Sequence, residues 1–452
     1  MKGLDRIFSS GKFSMNKEDL LCYGYDASGL DVAPAAVVWP ESAEDVVKIA
    51  KFAYSGGHKL IPRGAGTGMT GGSVGVRNAV LVSFERMNRI VEIDTQNLTV
   101  VVEPGVVNGA LQRELEERGF FYPPDPASLN TCTLGGNVAE NAGGPRAVKY
   151  GVTRDYVMSL EAVLADGTLI TTGVRTRKGV VGYDLTRLLT GSEGTLAMIT
   201  KIRLKVLPAP EGVLTVLSFF DSAESAGKCV SGIIASGMIP RTLEIMDALT
   251  ISAVNRYKNV GLSESAEAML LIELDGHLNT IKEEAAKTAD ICRKFGGDVK
   301  MANSIADREL LWSGRRAVSP ALYRLSPTKI SEDIVVPISR VADALAGLKK
   351  LSQKSGIPIA GFGHAGDGNL HVNILCDRKN PEEFLIAETL VRDIFELTLS
   401  LGGTISGEHG IGLTKSKYLD MELDPMTIDL MRGIKRLFDH KGILNPGKVF
   451  QL

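Results

Sequence analysis

The chain has 452 residues, 44% hydrophobic and 23% charged, enough apolar material for more than one core and for two or three folding units. Its formal net charge of −2 excludes the cationic surplus on which nucleic-acid and anionic-lipid binders rely. Five scattered cysteines without a C-x-x-C pair argue against a disulfide framework and against an iron–sulfur cluster in this chain. No run approaches about eighteen apolar residues and MKGLDRIFSSGKF lacks a signal-peptide core, so a cytoplasmic protein is expected, peripheral to a membrane at most through a partner.

In chain order, Ser42-Ala43-Glu44-Asp45 reads as a capping box. Val46, Ile49, Ala50 and Ala53 then keep helical spacing until Gly56-Gly57 ends the helix. Leu60-Ile61 leads into PRGAGTGMTGG, where side-chain-free backbone can approach phosphate oxygens with Arg63, Thr67 and Thr70 assisting. No Gly-Lys-Ser/Thr closes this loop, so it is not a Walker loop. Residues 79–82 and 98–102 are β-branched strand runs, and LEAVLADGTLITT predicts a hairpin around Asp166-Gly167. Two further polar-glycine loops, TLGGNVAENAGG and GSEGTLAMIT, suggest one long ligand lying across all three.

LPAPEG marks a break at Pro208, Pro210 and Gly212. Beyond it, strands at 213–220, 269–276 and 329–337 alternate with helices near 222–235, 278–295 and 338–354, an α+β pattern. GHAGDGNLHVN and SGEHG follow. His371 and Asn373 lie two apart in an apolar run, so a strand would present both on one face, and Gly366 and Gly368 permit a turn that returns His364 to the same point. A single histidine of this kind is usually an ordinary core or loop residue. Two imidazoles with the carboxylate of Glu408, and His409 beside it, instead make an open metal site of the catalytic type, zinc first and iron or manganese as alternatives. A helix starting at Pro425, with Met431, Ile434 and Phe438 on one face, precedes the closing NPGK.

Together, PRGAGTGMTGG, PPDPAS, TLGGNVAENAGG, TGSEGTLAMIT, GHAGDGNLHVNIL, SGEHGIG and NPGK resemble the FAD-linked D-2-hydroxy-acid dehydrogenases of the vanillyl-alcohol-oxidase type, also called PCMH-type flavoproteins. That group includes the FAD-binding subunit of glycolate oxidase, D-lactate dehydrogenases and D-2-hydroxyglutarate dehydrogenase. The resemblance runs from about residue 20 to the end. It implies an α+β fold: a two-subdomain FAD-binding unit over residues 1–210, a substrate cap with an antiparallel sheet over 211–410, and a segment 411–452 returning to the flavin.

Non-covalent FAD is implied, because Gly66-Thr67 stand where covalently tethering relatives place a histidine. Its contacts would come from Arg63, Gly64, Ala65, Gly66, Thr67, Gly68, Thr70 and Gly71. Pro124, Asp125 and Ser128 would line the same cleft, with Thr133, Gly135, Gly136, Asn137, Asn141 and Gly143. Gly191, Glu193, Gly194, Ile199 and Asn445 complete the set.

The resemblance also implies Arg315, Ser319, Lys329 and Asn373 as substrate contacts, with Arg316 a near-equal alternative to Arg315. A guanidinium can hold a carboxylate bidentately. His364, His371 and Glu408 would bind the metal. His409 would contact the substrate and act as the base, imidazole titrating near ~6.5. Electrons would leave to a separate iron–sulfur subunit, electron-transfer flavoprotein, cytochrome or quinone-linked chain, and a homodimer is compatible with the sequence. The expected substrate is glycolate or D-lactate. D-2-hydroxyglutarate oxidation, a nicotinamide-linked enolpyruvyl-sugar reductase and a non-catalytic flavin electron-transfer subunit are the alternatives, and the last two leave the histidine–glutamate cluster without a task.

Overall fold

A computed structural model describes residues 3–302 and 304–450. The chain divides into two compact units. The first takes the chain up to Gly143, Val152–Ala209, and everything from Glu408 onward; the second is Gly144–Gly151 with Pro210–Gly407.

In the first unit, Ser42 caps the helix Ala43–Gly56 by accepting a hydrogen bond from the Asp45 amide, and Gly57 ends it in the left-handed region at φ 68°. Its buried Val46, Ile49, Ala50 and Ala53 pack with Leu60, Val80, Val82, Ile443 and Leu444. Leu60, Val80 and Val82 belong to a four-stranded sheet in the order Phe13–Ser14, Ala36–Val38, Ala79–Ser83, Lys59–Arg63, in which only the first pairing is antiparallel. A second, antiparallel sheet runs Ile90–Asp94, Thr99–Val102, Met198–Lys205, Val157–Val163, Leu169–Gly173, its last two strands forming the hairpin expected at Asp166-Gly167.

The second unit is built on one seven-stranded antiparallel sheet. Its order is Asp298–Met301, Gly212–Phe220, Ala268–Gly276, Thr242–Asp247, Ile359–His364, Asn369–Cys376, Thr328–Val335. The helices Ala223–Ala235, Leu278–Lys294 and Val341–Ser355 occur where helical spacing predicts them. Residues 144–151 join this unit although both flanks belong to the first. Lys149 donates to Asp275 Oδ1 at 2.5 Å and the Tyr150 hydroxyl donates to Asp275 Oδ2 at 2.8 Å. Asp275 also meets Arg241 at 2.8 Å, so this buried carboxylate is fully paired.

Strands Ile359–His364 and Asn369–Cys376 pair with Phe362 opposite His371 and His364 opposite Asn369, and every residue of both is buried. The connection turns at Gly368, φ 85°, where a Cβ would collide with the Val336 carbonyl, so only glycine fits. Among the described residues no helix is long and apolar enough to cross a membrane.

Candidate active site

The first unit carries a groove lined by residues from all three polar-glycine loops. Arg63, Gly64, Gly72 and Ser73 come from the first, Thr133, Gly135, Gly136, Ala139 and Glu140 from the second, and Glu193, Gly194, Ala197 and Ile199 from the third. The glycines are sterically required: a Cβ on Gly64 would strike Thr133 Oγ1, and one on Gly135 would lie 2.5 Å from Pro104 Cβ. Such walls let backbone N–H groups reach a ligand, and they suit the pyrophosphate and ribityl chain of a dinucleotide.

Several residues expected at the cofactor also hold the walls together. Arg63 Nη1 donates to the Tyr25 carbonyl at 2.7 Å and to Ser73 Oγ at 3.3 Å. Thr70 Oγ1 donates to the His409 carbonyl at 3.1 Å, fixing the backbone beside that imidazole. Asn445 spends both hydrogens of its amide on the carbonyls of Gly72 (2.9 Å) and Glu193 (2.6 Å). Asn141, at φ 55°, caps the helix Leu134–Glu140 and accepts from the Arg154 amide, and Asn137 is buried on that helix. Gly143 lies against Glu408, whose Oε2 would be 2.7 Å from an added Cβ. Ala65, Gly66, Thr67, Gly68, Gly71, Pro124, Asp125, Ser128 and Gly191 are not part of this groove's lining. Pro62, Phe84, Pro104 and Glu140 are, and sequence reasoning did not single them out. Glu140 left a usable signal: an acid in NVAENAGG has only small neighbours and no adjacent cation.

In the second unit, His371 Nε2 lies 3.4 Å from His364 Nε2, with the rings 5.0 Å apart and nearly perpendicular. Two nitrogens each ~2.0–2.1 Å from a tetrahedral zinc are themselves about 3.3–3.4 Å apart, so this spacing fits a shared cation. Carboxylates stand behind both rings. His364 Nδ1 is 2.6 Å from Glu244 Oε1, which favours the tautomer with the proton on Nδ1 and the lone pair on Nε2. His371 Nδ1 is 3.7 Å from Asp333 Oδ1. Asp333 also accepts from Asn369 Nδ2 at 2.6 Å and from the Gly407 amide at 2.8 Å.

Glu244 was not anticipated. Its second oxygen accepts from Arg315 Nε at 2.6 Å, joining the histidine pair to the guanidinium. Burial alone would push this carboxyl up, but Arg315 and His364 hold it below the ordinary carboxylate range. The two neighbouring arginines differ in placement: Arg315 is buried and stacks 4.8 Å from the Phe362 ring, while Arg316 is exposed and pairs with Glu309. Lys329 Nζ donates to Ser319 Oγ at 2.7 Å, and burial lowers its pKa to about 8. Asn373 shares the His371 face, donating to the His371 carbonyl and accepting from Ser331.

Residues 34–173 match the family model of an FAD binding domain, and residues 209–449 match the C-terminal domain of FAD linked oxidases. The chain is 43% identical to the glycolate oxidase subunit GlcD of Bacillus subtilis, over 99% of its own length and 96% of that protein. It belongs to the FAD-linked oxidase family. Other relatives include GlcD of Escherichia coli, 39% identical over 95% of this chain and 87% of that one. A D-lactate dehydrogenase of Archaeoglobus fulgidus is 37% identical over 94% and 95%. Among solved structures, p-cresol methylhydroxylase superposes with a TM-score of 0.82 at 17% identity, covering 99% of this chain and 95% of that one, so the PCMH-type fold is shared. In this FAD-linked oxidase, the glycine-walled groove lies in the unit that carries the match to the FAD binding domain.

Proposed function

We propose that this FAD-linked oxidase oxidises glycolate or D-lactate to the 2-oxo acid, with FAD and a divalent cation as cofactors and a separate acceptor for the electrons. The observation that carries the reading is the pair of facing histidine nitrogens backed by Glu244 and joined through it to Arg315. The names of the relatives, glycolate oxidase subunit and D-lactate dehydrogenase, support the substrate class. In functional terms, residues 1–210 bind the flavin, 211–410 form the substrate cap, and 411–452 return to the flavin.

His364 and His371 supply two ligands, and Glu408, the residue after Gly407, supplies the third. Zinc suits two imidazoles and a carboxylate, with iron or manganese as alternatives. The cation supplies Lewis acidity toward the substrate's hydroxyl, and FAD supplies the two-electron acceptor. Arg315 binds the C1 carboxylate, Ser319 and Asn373 orient the substrate, and His409 removes the hydroxyl proton. The test is an anaerobic panel of glycolate, D-lactate, L-lactate and D-2-hydroxyglutarate read by flavin bleaching. Bleaching by none of them would refute the reading, and preferential bleaching by D-2-hydroxyglutarate would reassign the substrate.

Lys329 gives this pocket a pH signature. Its ammonium loses its proton near pH 8, against 10.5 for an ordinary lysine, because the group is buried. A substrate that leans on this cation should therefore bind well below pH 8 and show a rising KM as pH passes through about 8. Lys329→Met should remove that inflection, and an inflection that survives the substitution assigns it elsewhere.

The separate acceptor is supported by the naming of two relatives as subunits and by free cysteines of which Cys229 and Cys292 lie 3.6 Å apart, short of the four thiolates that hold an iron–sulfur cluster. During turnover in air the purified chain should reduce artificial dyes quickly and release little peroxide. Rapid stoichiometric peroxide formation would make it a self-contained oxidase.

A further inference from the structure

Glu140 closes the helix Leu134–Glu140 and lines the flavin groove. Its Oε2 is buried and makes no hydrogen bond, and no ion pair to Glu140 occurs among the described residues. A second carboxyl, Glu193, shares its surroundings. A Cβ built on Gly72 would lie 2.8 Å from Glu140 Oε1 and 3.9 Å from Glu193 Oε2, and one on Gly410 would meet Glu140 Oε2 and, at 2.9 Å, Glu193 Oε1.

The two acids are not equivalent. Burial pushes the Glu193 carboxyl up as well, but it accepts from the Ile411 amide at 2.7 Å and from the Gly412 amide at 2.8 Å, and the positive charges of Lys448 and Lys415 oppose that rise. Glu140 has no such support. Burial first, then the charges of Glu193 and Asp26, push its carboxyl well above the ordinary range. A carboxyl pushed toward its protonated form, with a buried oxygen that makes no hydrogen bond, is costly to leave unsatisfied, and in a cofactor groove the bound cofactor offers an acceptor.

We propose that Glu140 donates a hydrogen bond directly to an acceptor atom of the bound flavin nucleotide, while Glu193 serves to hold the 411–412 backbone. The acceptor is an electron-rich oxygen or nitrogen, which both the isoalloxazine ring and the pyrophosphate offer. A neutral acid can sit against either, where a carboxylate would repel the phosphates and the reduced ring. This inference rests on FAD binding and is independent of the metal.

The experiment uses the flavin-loaded protein. Its infrared spectrum should contain a protonated-carboxyl C=O band that shifts in D2O and is missing from Glu140→Gln, which keeps shape and fold. The absence of any such Glu140-dependent band overturns the proposal. Glu140→Ala should raise the FAD dissociation constant by roughly fivefold to tenfold, the worth of one hydrogen bond. A shifted flavin midpoint potential alongside that loss assigns the contact to the ring, and an unshifted potential assigns it to the pyrophosphate. An unchanged dissociation constant together with an unchanged potential also overturns the proposal.

Discussion

His409→Asn is expected to slow flavin reduction by D-2-hydroxy acids about 10²–10⁴-fold, the usual range for removing a positioned general base. The backbone of this residue is anchored, its carbonyl accepting from Thr70 Oγ1 at 3.1 Å, and the following Gly410 has φ 80°. Asparagine fits the same backbone but cannot take the proton. Stopped-flow absorbance gives the rate, and metal analysis of the same sample gives the discriminating control. Metal content should stay at the wild-type level; its loss would make His409 a ligand and leave Glu408 in a supporting role.

His371→Ala should instead lose the cation and with it nearly all substrate-driven flavin reduction, while FAD stays bound. The basis is the 3.4 Å Nε2 to Nε2 pairing: with one imidazole gone the proposed set falls from three ligands to two, too few for a tightly held catalytic zinc. Glu244→Gln should act on the same site more gently, lowering metal affinity about 10–100-fold, since the carboxylate orients His364 through Nδ1. Glutamine is the informative substitution. Alanine would leave the Arg315 guanidinium buried and unpaired, a cost of about 3–5 kcal/mol that would confuse folding with metal loss. Metal quantification with flavin absorbance on each variant separates the two, and a His371→Ala protein that keeps its metal would remove this histidine from the ligand set.

Local signals carried much of the fold. The helix Ala43–Gly56 follows from its cap, its spacing and its glycine stop, and the hairpin at Asp166-Gly167 follows from turn chemistry. The common face of His371 and Asn373 follows from the period of a strand. The illegible parts depend on distant partners. Glu244 is an acid inside the strand Thr242–Asp247 whose partners, Arg315 and His364, lie 71 and 120 residues away, so nothing near it in sequence marks its role. Residues 144–151 join the second unit through Asp275, more than 120 residues on, and no composition shift announces it. Arg315 against Arg316 was decidable: Trp312, three residues earlier on the helix Ile305–Arg316, is buried and marks the inward face. Glu140 was hidden by reading its tract for glycine and asparagine alone.

In the proposed reaction a divalent cation is needed in addition to FAD, held where His364 and His371 converge rather than in the glycine-walled groove. The most direct measurement treats the purified protein with a strong chelator, verifies by elemental analysis that the metal is gone, and mixes it anaerobically with D-lactate or glycolate. The expected outcome is a protein that remains yellow, with its flavin bound and unreduced, and that bleaches once zinc, manganese or ferrous ion is restored. Bleaching at the untreated rate in metal-free protein would contradict it.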